Sequence, residues 1–330
     1  MNKVNQKKYE YLIIGQGLAG SILSYKLMQA GKKCLVINRF NPNAASYVAG
    51  GIFSPIAGQR IAKIWQADEI APVLPNFYQE LEKTLSISFF YQVPYIKLLI
   101  TDDLKKNAQK RLDDPAYRQY IKPISYEINK KKFNAIEIQH TGWVDTEILL
   151  NSYRALLKTK HTYLEDWFDE TQLTVNENEI HYKNICAKKI IFCNGLQAIN
   201  NRFFNQEKMN PTKGELLTIK MNKSIAQIIS SNVFLLPIGN NLYHVGATFE
   251  RDYKDTFPSE KGRNWLCSEL EKIINVPYEI ISHKAGIRPT TLGHRPITKW
   301  HNTYKNIGIF SGFGAKGVSY IPYCVQSLLG

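Results

Sequence analysis

The chain contains no run of about 18 apolar residues, the length at which a membrane-spanning helix begins. It has only five cysteines in 330 residues: Cys34, Cys186, Cys193, Cys267 and Cys324. None falls in a CxxC pair and none has a histidine at metal-ligand spacing, so no metal site is expected. An odd, scattered set also argues against a disulfide framework and fits reduced thiols in the cytoplasm. Neither an internal repeat nor a low-complexity linker occurs.

Acidic residues are scarce, 28 against 42 basic ones, for a formal net charge of +14. The excess has two readings. One is an anionic partner, such as nucleic acid, a membrane surface or a carboxylate substrate. The other is compositional, because 32 of the basic residues are Lys and only 10 are Arg, the usage of an AT-rich genome. The basic residues are scattered, with the densest cluster only at Lys130, Lys131 and Lys132, so nucleic acid is not the favoured partner. Asn2 to Lys8 is basic and precedes an apolar run, which imitates a signal peptide. Three glycines interrupt that run and no small-residue cleavage site follows it, so no leader is expected.

What is present is material for a core: 44% hydrophobic and 12% aromatic residues. The length suits two domains. Tyr9 to Ile14 reads as a buried parallel strand, Ser21 to Ala30 as a helix ended by Gly31, and Lys33 to Asn38 as a second buried strand. Pro72 to Thr84 carries Leu74, Phe77 and Leu81 at helical spacing. From about 86 to 140 the pattern is short alternating segments, an antiparallel sheet. Asp145 then caps a helix reaching about Lys158, and short strands end in the run Lys189 to Cys193. Residues 212 to 283 read as antiparallel strands with one helix near 259 to 273. The strand Ile307 to Phe310, a glycine-rich turn and a last helix follow. Nucleotide-type units at the start, middle and end imply discontinuous domains. One comprises 1–85, 141–211 and 284–330; the other comprises 86–140 and 212–283.

The chemistry begins at Gly15-Gln16-Gly17-Leu18-Ala19-Gly20, a GxGxxG directly after a strand and at the mouth of a helix. The first glycine makes the turn, the second lets a pyrophosphate touch bare backbone, and the third lets helix and strand pack closely. The helix N-terminus then offers free N–H groups to phosphate. About 20 residues on, where an acid would hold ribose hydroxyls, the chain has Asn38 and Arg39. Asn38 can bind a ribose; Arg39 could instead meet a 2′-phosphate, the mark of an NADP-dependent enzyme. Both readings stay open. A second match, Gly312-Phe313-Gly314-Ala315-Lys316-Gly317, has only 13 residues after it, too few for another nucleotide unit. Its use would be to aim a helix N-terminus at an electron-rich cofactor edge.

These motifs carry a resemblance. With Ala45-Ser46-Tyr47-Val48-Ala49-Gly50-Gly51 and Gly142-Trp143-Val144-Asp145, they resemble the D-amino-acid oxidase family of flavoproteins, glycine oxidase and sarcosine oxidase included. So do Ile191-Phe192-Cys193-Asn194-Gly195, Lys213-Gly214-Glu215, Gly246-Ala247-Thr248 and Ala285-Gly286-Ile287-Arg288-Pro289. The matches run in the family's order over nearly the whole chain. The resemblance implies an α/β protein with a Rossmann-type FAD-binding domain and a discontinuous α+β substrate domain on an antiparallel sheet. It implies FAD in an extended pose, with Gly15, Gly17, Leu18, Ala19 and Gly20 at the pyrophosphate and Asn38 at the adenosine ribose. Ser46, Gly50 and Gly51 would lie by the pyrophosphate and flavin, and Gly195 near the nucleotide. Gly312, Gly314, Ala315, Lys316 and Gly317 would flank the flavin ring.

Arg288 matches the arginine that grips the substrate carboxylate in amino-acid-oxidising relatives, and its fork suits a carboxylate. The alternative is a structural pairing with an acid or a C-terminal carbonyl. Lys316 would favour negative charge on the flavin, or else be a solvated surface lysine. The implied reaction is oxidation of the C–N bond of a small amine or amino acid by hydride transfer to flavin, with oxygen or another acceptor reoxidising it. The resemblance extends to the FAD domain that trims carboxymethylaminomethyl-uridine in tRNA, which presents a similar glycine-like carboxylate. Phe234 stands where amino-acid oxidases often carry a substrate-contacting tyrosine. Gly293 stands where an Asp is usual and Trp300 where a glycine is common, so the pocket is not a copy of glycine oxidase. No cysteine lies between Cys267 and Cys324, so noncovalent FAD is expected. The chain stops at Leu329-Gly330, early in the last helix, which leaves room for a longer natural chain.

Overall fold

The computed structural model describes residues 7–128 and 130–329. Most of the basic stretch from Asn2 to Lys8, and the terminal Gly330, lie outside the described residues. Two eight-stranded sheets dominate. In the first, the strands Tyr163–Glu165, Cys34–Asn38, Lys7–Ile14, Ile185–Phe192 and Ile307–Ser311 run parallel in that spatial order. The short strands Leu173–Val175, Ile180–Tyr182 and Ile297–Trp300 join it antiparallel. Its central strands are apolar throughout because both faces are covered. Ile13, Val36 and Ile191 enter one core with the helices, whereas Leu12, Ile14, Ile37 and Ile190 enter another on the opposite face. Each such fully buried side chain contributes roughly 1.5–3 kcal/mol of transfer free energy.

Seven helices appear among the described residues: α1 Leu18–Gln29, α2 Ala45–Val48, α3 Ala67–Leu85, α4 Asp102–Leu112, α5 Thr146–Thr159, α6 Glu260–Glu271 and α7 Gly317–Leu329. Helix α1 starts three residues before the expected Ser21, so Leu18 and Ala19 belong to its first turn. Helix α3 starts at Ala67, five residues before Pro72. Both Pro72 and Pro75 lie inside it beyond the first turn, so the bonds to the carbonyls of Asp68 and Ala71 are lost; burial of Leu74, Phe77, Tyr78 and Leu81 on one face holds the helix despite that loss. Helix α4 falls in the stretch read as sheet alone. It is mostly charged and buries only Leu104 and Ala108, so its apolar periodicity was weak. Thr101 caps it by accepting from Leu104 N, and Asp145 caps α5 by accepting from Ile148 N.

The second sheet has the order Tyr278–Arg288, Thr212–Met221, Leu242–Gly246, Phe234–Gly239, Ile228–Ser230, Tyr95–Leu98, Lys131–Ile138, Ile121–Ile128. It is antiparallel except where Ile228–Ser230 meets Tyr95–Leu98, a parallel junction between the two chain segments that build it. The strand ending at Arg288 belongs wholly to this sheet, so a boundary at 283/284 cuts it. Arg288 is therefore supplied by the second sheet. One face of the sheet buries Leu217, Ile219, Leu235, Tyr243 and Val245 against Leu266 and Leu270 of α6. By the two-residue alternation of strands, the other face presents Gly214, Leu216, Phe234, Gly246 and Arg288.

Candidate functional site

The nucleotide turn is built by close approach. Gly15 has φ +99°, a conformation that side chains rarely adopt, and a Cβ on Gly20 would stand 1.8 Å from Gly15 O. Helix α1 can therefore rest directly on the turn. A Cβ at Gly17 would meet Ser46 alone, its Oγ at 3.1 Å, so the bare backbone there is bounded only by one short side chain that must give way. No side chain caps α1 at Gly17, and its first turn holds no acid. The positive pole of the helix is left for an anion. Ser46 accepts from Leu18 N at 3.1 Å, so its hydroxyl is already engaged at this pole.

Beyond the turn, a crevice at the carboxyl ends of the parallel strands is lined by Gly15, Asn38, Arg39, Trp167, Phe168 and Asn194, among others. Asn194 Oδ1 is buried there without a hydrogen-bond partner among the described residues. A buried, unpaired acceptor facing a polar crevice suits the hydroxyls or amino groups of a nucleotide. Asn38 accepts from Gln16 N at 3.0 Å and donates to Tyr163 Oη at 3.2 Å. Its amide keeps one proton and one lone pair for a ribose. The Arg39 guanidinium lies 6.0 Å from the ring centre of Trp167. Gly195 adopts φ +62° and its carbonyl accepts from Ser311, so it shapes the turn after Asn194 without lining the crevice.

A second cavity, of about 260 Å³, opens between α2, the Gly314–Lys316 turn and the exposed face of the second sheet. Gly50, Gly51, Gly314, Ala315 and Lys316 line it on one side, and Gly214, Leu216, Phe234 and Arg288 on the other. Residues from distant parts of the chain thus share one chamber. Gly312 and Gly317 do not line it. A Cβ on Gly312 would meet Thr291 at 2.7 Å, and one on Gly317 would approach Leu18 of α1, so these two glycines serve packing.

Arg288 ends its strand opposite Thr212, with Gly286 opposite Gly214. Its Nη1 and Nη2 each donate to the carbonyl of Thr248 at 3.2 Å. No carboxylate reaches it at ion-pair distance among the described residues, so the structural acid has no counterpart. Burial lowers its pKa from the usual arginine value, but a guanidinium remains charged. The result is a half-buried positive charge, anchored by one carbonyl and with no anion at ion-pair distance among the described residues.

Lys316 is half-buried at the chamber wall, and burial pulls its ammonium down to about 8. Sequence reasoning missed Tyr95, which comes from another strand and lines the chamber, and gave no role to Thr248, which follows the strand Leu242–Gly246. It also missed a neighbouring cavity that holds His244, Lys284, Thr218 and Asp145. Burial, helped by Lys284, lowers His244 to about 4. Lys213-Gly214-Glu215 is divided in use. Glu215 is buried against Lys213, His283 and the α6 cap Ser259, an anchoring network behind the chamber. No cysteine lines either the crevice or the chamber.

Comparison with known proteins agrees with this geometry. Residues 10–327 match the family model described as FAD dependent oxidoreductase. The tRNA 5-methylaminomethyl-2-thiouridine biosynthesis bifunctional protein MnmC of Idiomarina loihiensis is 19% identical over 359 aligned residues, covering 98% of this chain. The chain spans 56% of that protein's length. Iminodiacetate oxidase from Chelativorans sp. BNC1 superposes with a TM-score of 0.81 at 20% identity, over 97% of this chain and 94% of that one. Glycine oxidase from Geobacillus kaustophilus gives 0.81 at 17%, over 97% and 93%.

Proposed function

This chain belongs to the DAO family of FAD-dependent oxidoreductases, and from that premise we propose that it oxidises the C–N bond of a small amine or amino acid bearing a carboxylate. The observation that carries the reading is Arg288: a half-buried guanidinium in the chamber wall with no carboxylate partner among the described residues. A substrate carboxylate would complete the pair with two parallel hydrogen bonds. Gly15, Gly17 and the open α1 pole would hold the pyrophosphate, Asn38 and Asn194 the adenosine end, and Gly50, Gly51 and the Gly314–Lys316 turn the ring. FAD carries no 2′-phosphate, so the NADP role of Arg39 is not needed; the guanidinium faces Trp167 instead.

When bound, FAD supplies the two-electron acceptor; the protein's contribution is orientation and electrostatics. Arg288 fixes the carboxylate and thereby the α-carbon, converting encounter into a held geometry. Lys316 places positive charge at the opposite wall, where negative charge would develop. Phe234 and Leu216 give the sheet side of the chamber an apolar surface. No protein base is required if the amine binds neutral, and the imine formed is hydrolysed by water. Reoxidation by oxygen or by another acceptor fits this site equally. The two domains would be the 1–85, 141–211 and 289–330 unit and the 86–140 and 212–288 unit, the last boundary moved from 283/284 so that the strand Tyr278–Arg288 stays whole.

The similarity to MnmC and the +14 charge favour a second reading, in which the same arginine receives a carboxymethylaminomethyl group presented on tRNA. One experiment separates the two. Anaerobic bleaching of the bound flavin is followed with glycine, sarcosine, iminodiacetate, proline and D-amino acids, and with tRNA carrying the modification. Rapid bleaching by a free amino acid supports the first reading. Bleaching by the tRNA alone, with binding that weakens steeply with salt, supports the second. A flavin inert to every substrate would defeat both.

A further inference from the structure

We propose that Glu179, His181 and Cys186 form a zinc site, separate from the flavin chamber and independent of the substrate assignment. His181 and Cys186 are paired partners across the antiparallel hairpin of Ile180–Tyr182 and Ile185–Phe192, so their side chains share a face. Glu179 lies two residues before His181 and joins that face. Glu179 Oε1 is 2.8 Å from His181 Nε2, and its Oε2 is 3.4 Å from Cys186 Sγ. The three ligand atoms all lie within 4.8 Å of one another. With bonds of about 2.0–2.3 Å to a tetrahedral ion, ligand atoms stand about 3.3–3.8 Å apart. Opening the Glu179–His181 contact by less than about 1 Å would admit the ion, and the exposed Glu179 side chain can make that movement.

One sulfur, one imidazole and one carboxylate select zinc or cobalt rather than magnesium or calcium. The fourth position falls to water, since the hairpin opens to solvent on the Glu179 side. Lys8 is paired with Cys186 across the first strand, but it is exposed, so water and salt screen its repulsion. Without an ion, a cysteine thiol of ordinary acidity holds its proton at neutral pH. Binding therefore breaks the S–H bond, forms the Zn–S bond and releases that proton to solvent. The imidazole keeps its single proton, moved to the ring nitrogen that does not bind the ion. No electrons change hands. The site lies six strand residues from Phe192 at the nucleotide crevice, roughly 20 Å away, which makes it a staple on the hairpin.

The test uses the flavin-loaded protein. Zn²⁺ titrated calorimetrically should bind as one equivalent and release about one proton. Co²⁺ should produce a thiolate-to-cobalt charge-transfer band in the difference spectrum. Cys186→Ser should weaken zinc on the order of 100-fold or more and abolish the band, while flavin content and turnover stay unchanged. His181→Gln should weaken zinc similarly if the serine variant folds poorly, and Cys267→Ser should leave binding intact. Zinc binding that survives both Cys186→Ser and His181→Gln, or the lack of any one-equivalent binding by the unaltered protein, would overturn the proposal.

Discussion

A methyl group on Gly214 would stand 1.9 Å from Nη2 of Arg288, so the guanidinium lies flat across the backbone of its neighbouring strand. The absence of a side chain at one position thus sets the direction of the charge at another. Gly214→Ala should push the guanidinium off the Thr248 carbonyl without touching the flavin cradle. The expected result is normal flavin content with kcat/KM for carboxylate substrates lowered about 10- to 100-fold, the value of a hydrogen bond to a charged group. Arg288→Ala should produce a loss at least as large. If Gly214→Ala reacts like the unaltered protein, the clamp is not where we place it.

Gly17 offers a second test, because nothing but Ser46 Oγ stands near the missing Cβ. Gly17→Val should fold, since only the Ser46 side chain must shift, yet purify colourless, since the new side chain occupies the pyrophosphate's place. Gly20→Ala is the contrasting control. Its methyl would collide with Gly15 O at 1.8 Å, so that variant should lose stability as well as flavin. Flavin stoichiometry and a thermal melt distinguish the two. Full flavin retention by Gly17→Val would remove the basis of the cofactor assignment.

Lys316 should make anion binding pH-dependent. With its pKa at about 8, the ammonium is charged below that pH and neutral above it. Arg288 stays charged throughout the range. The affinity of a simple carboxylate such as acetate, followed by its perturbation of the flavin spectrum, should fall as pH rises through about 8. Lys316→Met should flatten that profile and keep the Arg288 component. An unchanged profile in the variant would place Lys316 outside the anion's reach.

The motifs at strand ends were the legible part of this molecule. Gly15 to Gly20 are readable because strand, turn and helix signals frame them within a few residues, whereas Gly50 and Arg288 were singled out by the family resemblance. The parallel strands were legible as continuous apolar runs, of which Leu12 to Ile14 is the clearest. Helix α4 was not, because only Leu104 and Ala108 of its residues are buried and its remaining surface is polar. The limits of Arg288's strand were misjudged for a related reason. A Gly-Ile-Arg-Pro segment resembles a loop, whereas pairing with Thr212–Met221 carries the strand through to Arg288. Asn194 and the Glu179–His181–Cys186 group depend on tertiary or cross-strand neighbours. Their spacing along the chain carries no periodic signal.

His244 gives a prediction whose sign follows from linkage. Its ring lies in the cavity beside the chamber, with Thr218 Oγ1 at 3.2 Å from Nδ1 and Lys284, Asp145 and Glu147 lining the same space. Burial first, and Lys284 second, lower it from 6.5 to about 4, so the folded protein holds it neutral. Between those two values the unfolded chain binds more protons than the folded one. Stability is therefore fully present above pH 6.5 and is lost as the pH falls towards 4. The ceiling on this loss is about 3 kcal/mol, because each pH unit between the two values is worth about 1.36 kcal/mol. His244→Gln keeps a polar group near Thr218 but cannot titrate. Its urea midpoint should fall less between about pH 7 and pH 4.5 than that of the unaltered protein. Glu147 faces Lys284 at 3.5 Å and is common to both proteins, so its own protonation cancels in the comparison. Parallel decline of the two midpoints would show that the ring gains its proton without cost, and that the cavity around it is wetter than its burial implies.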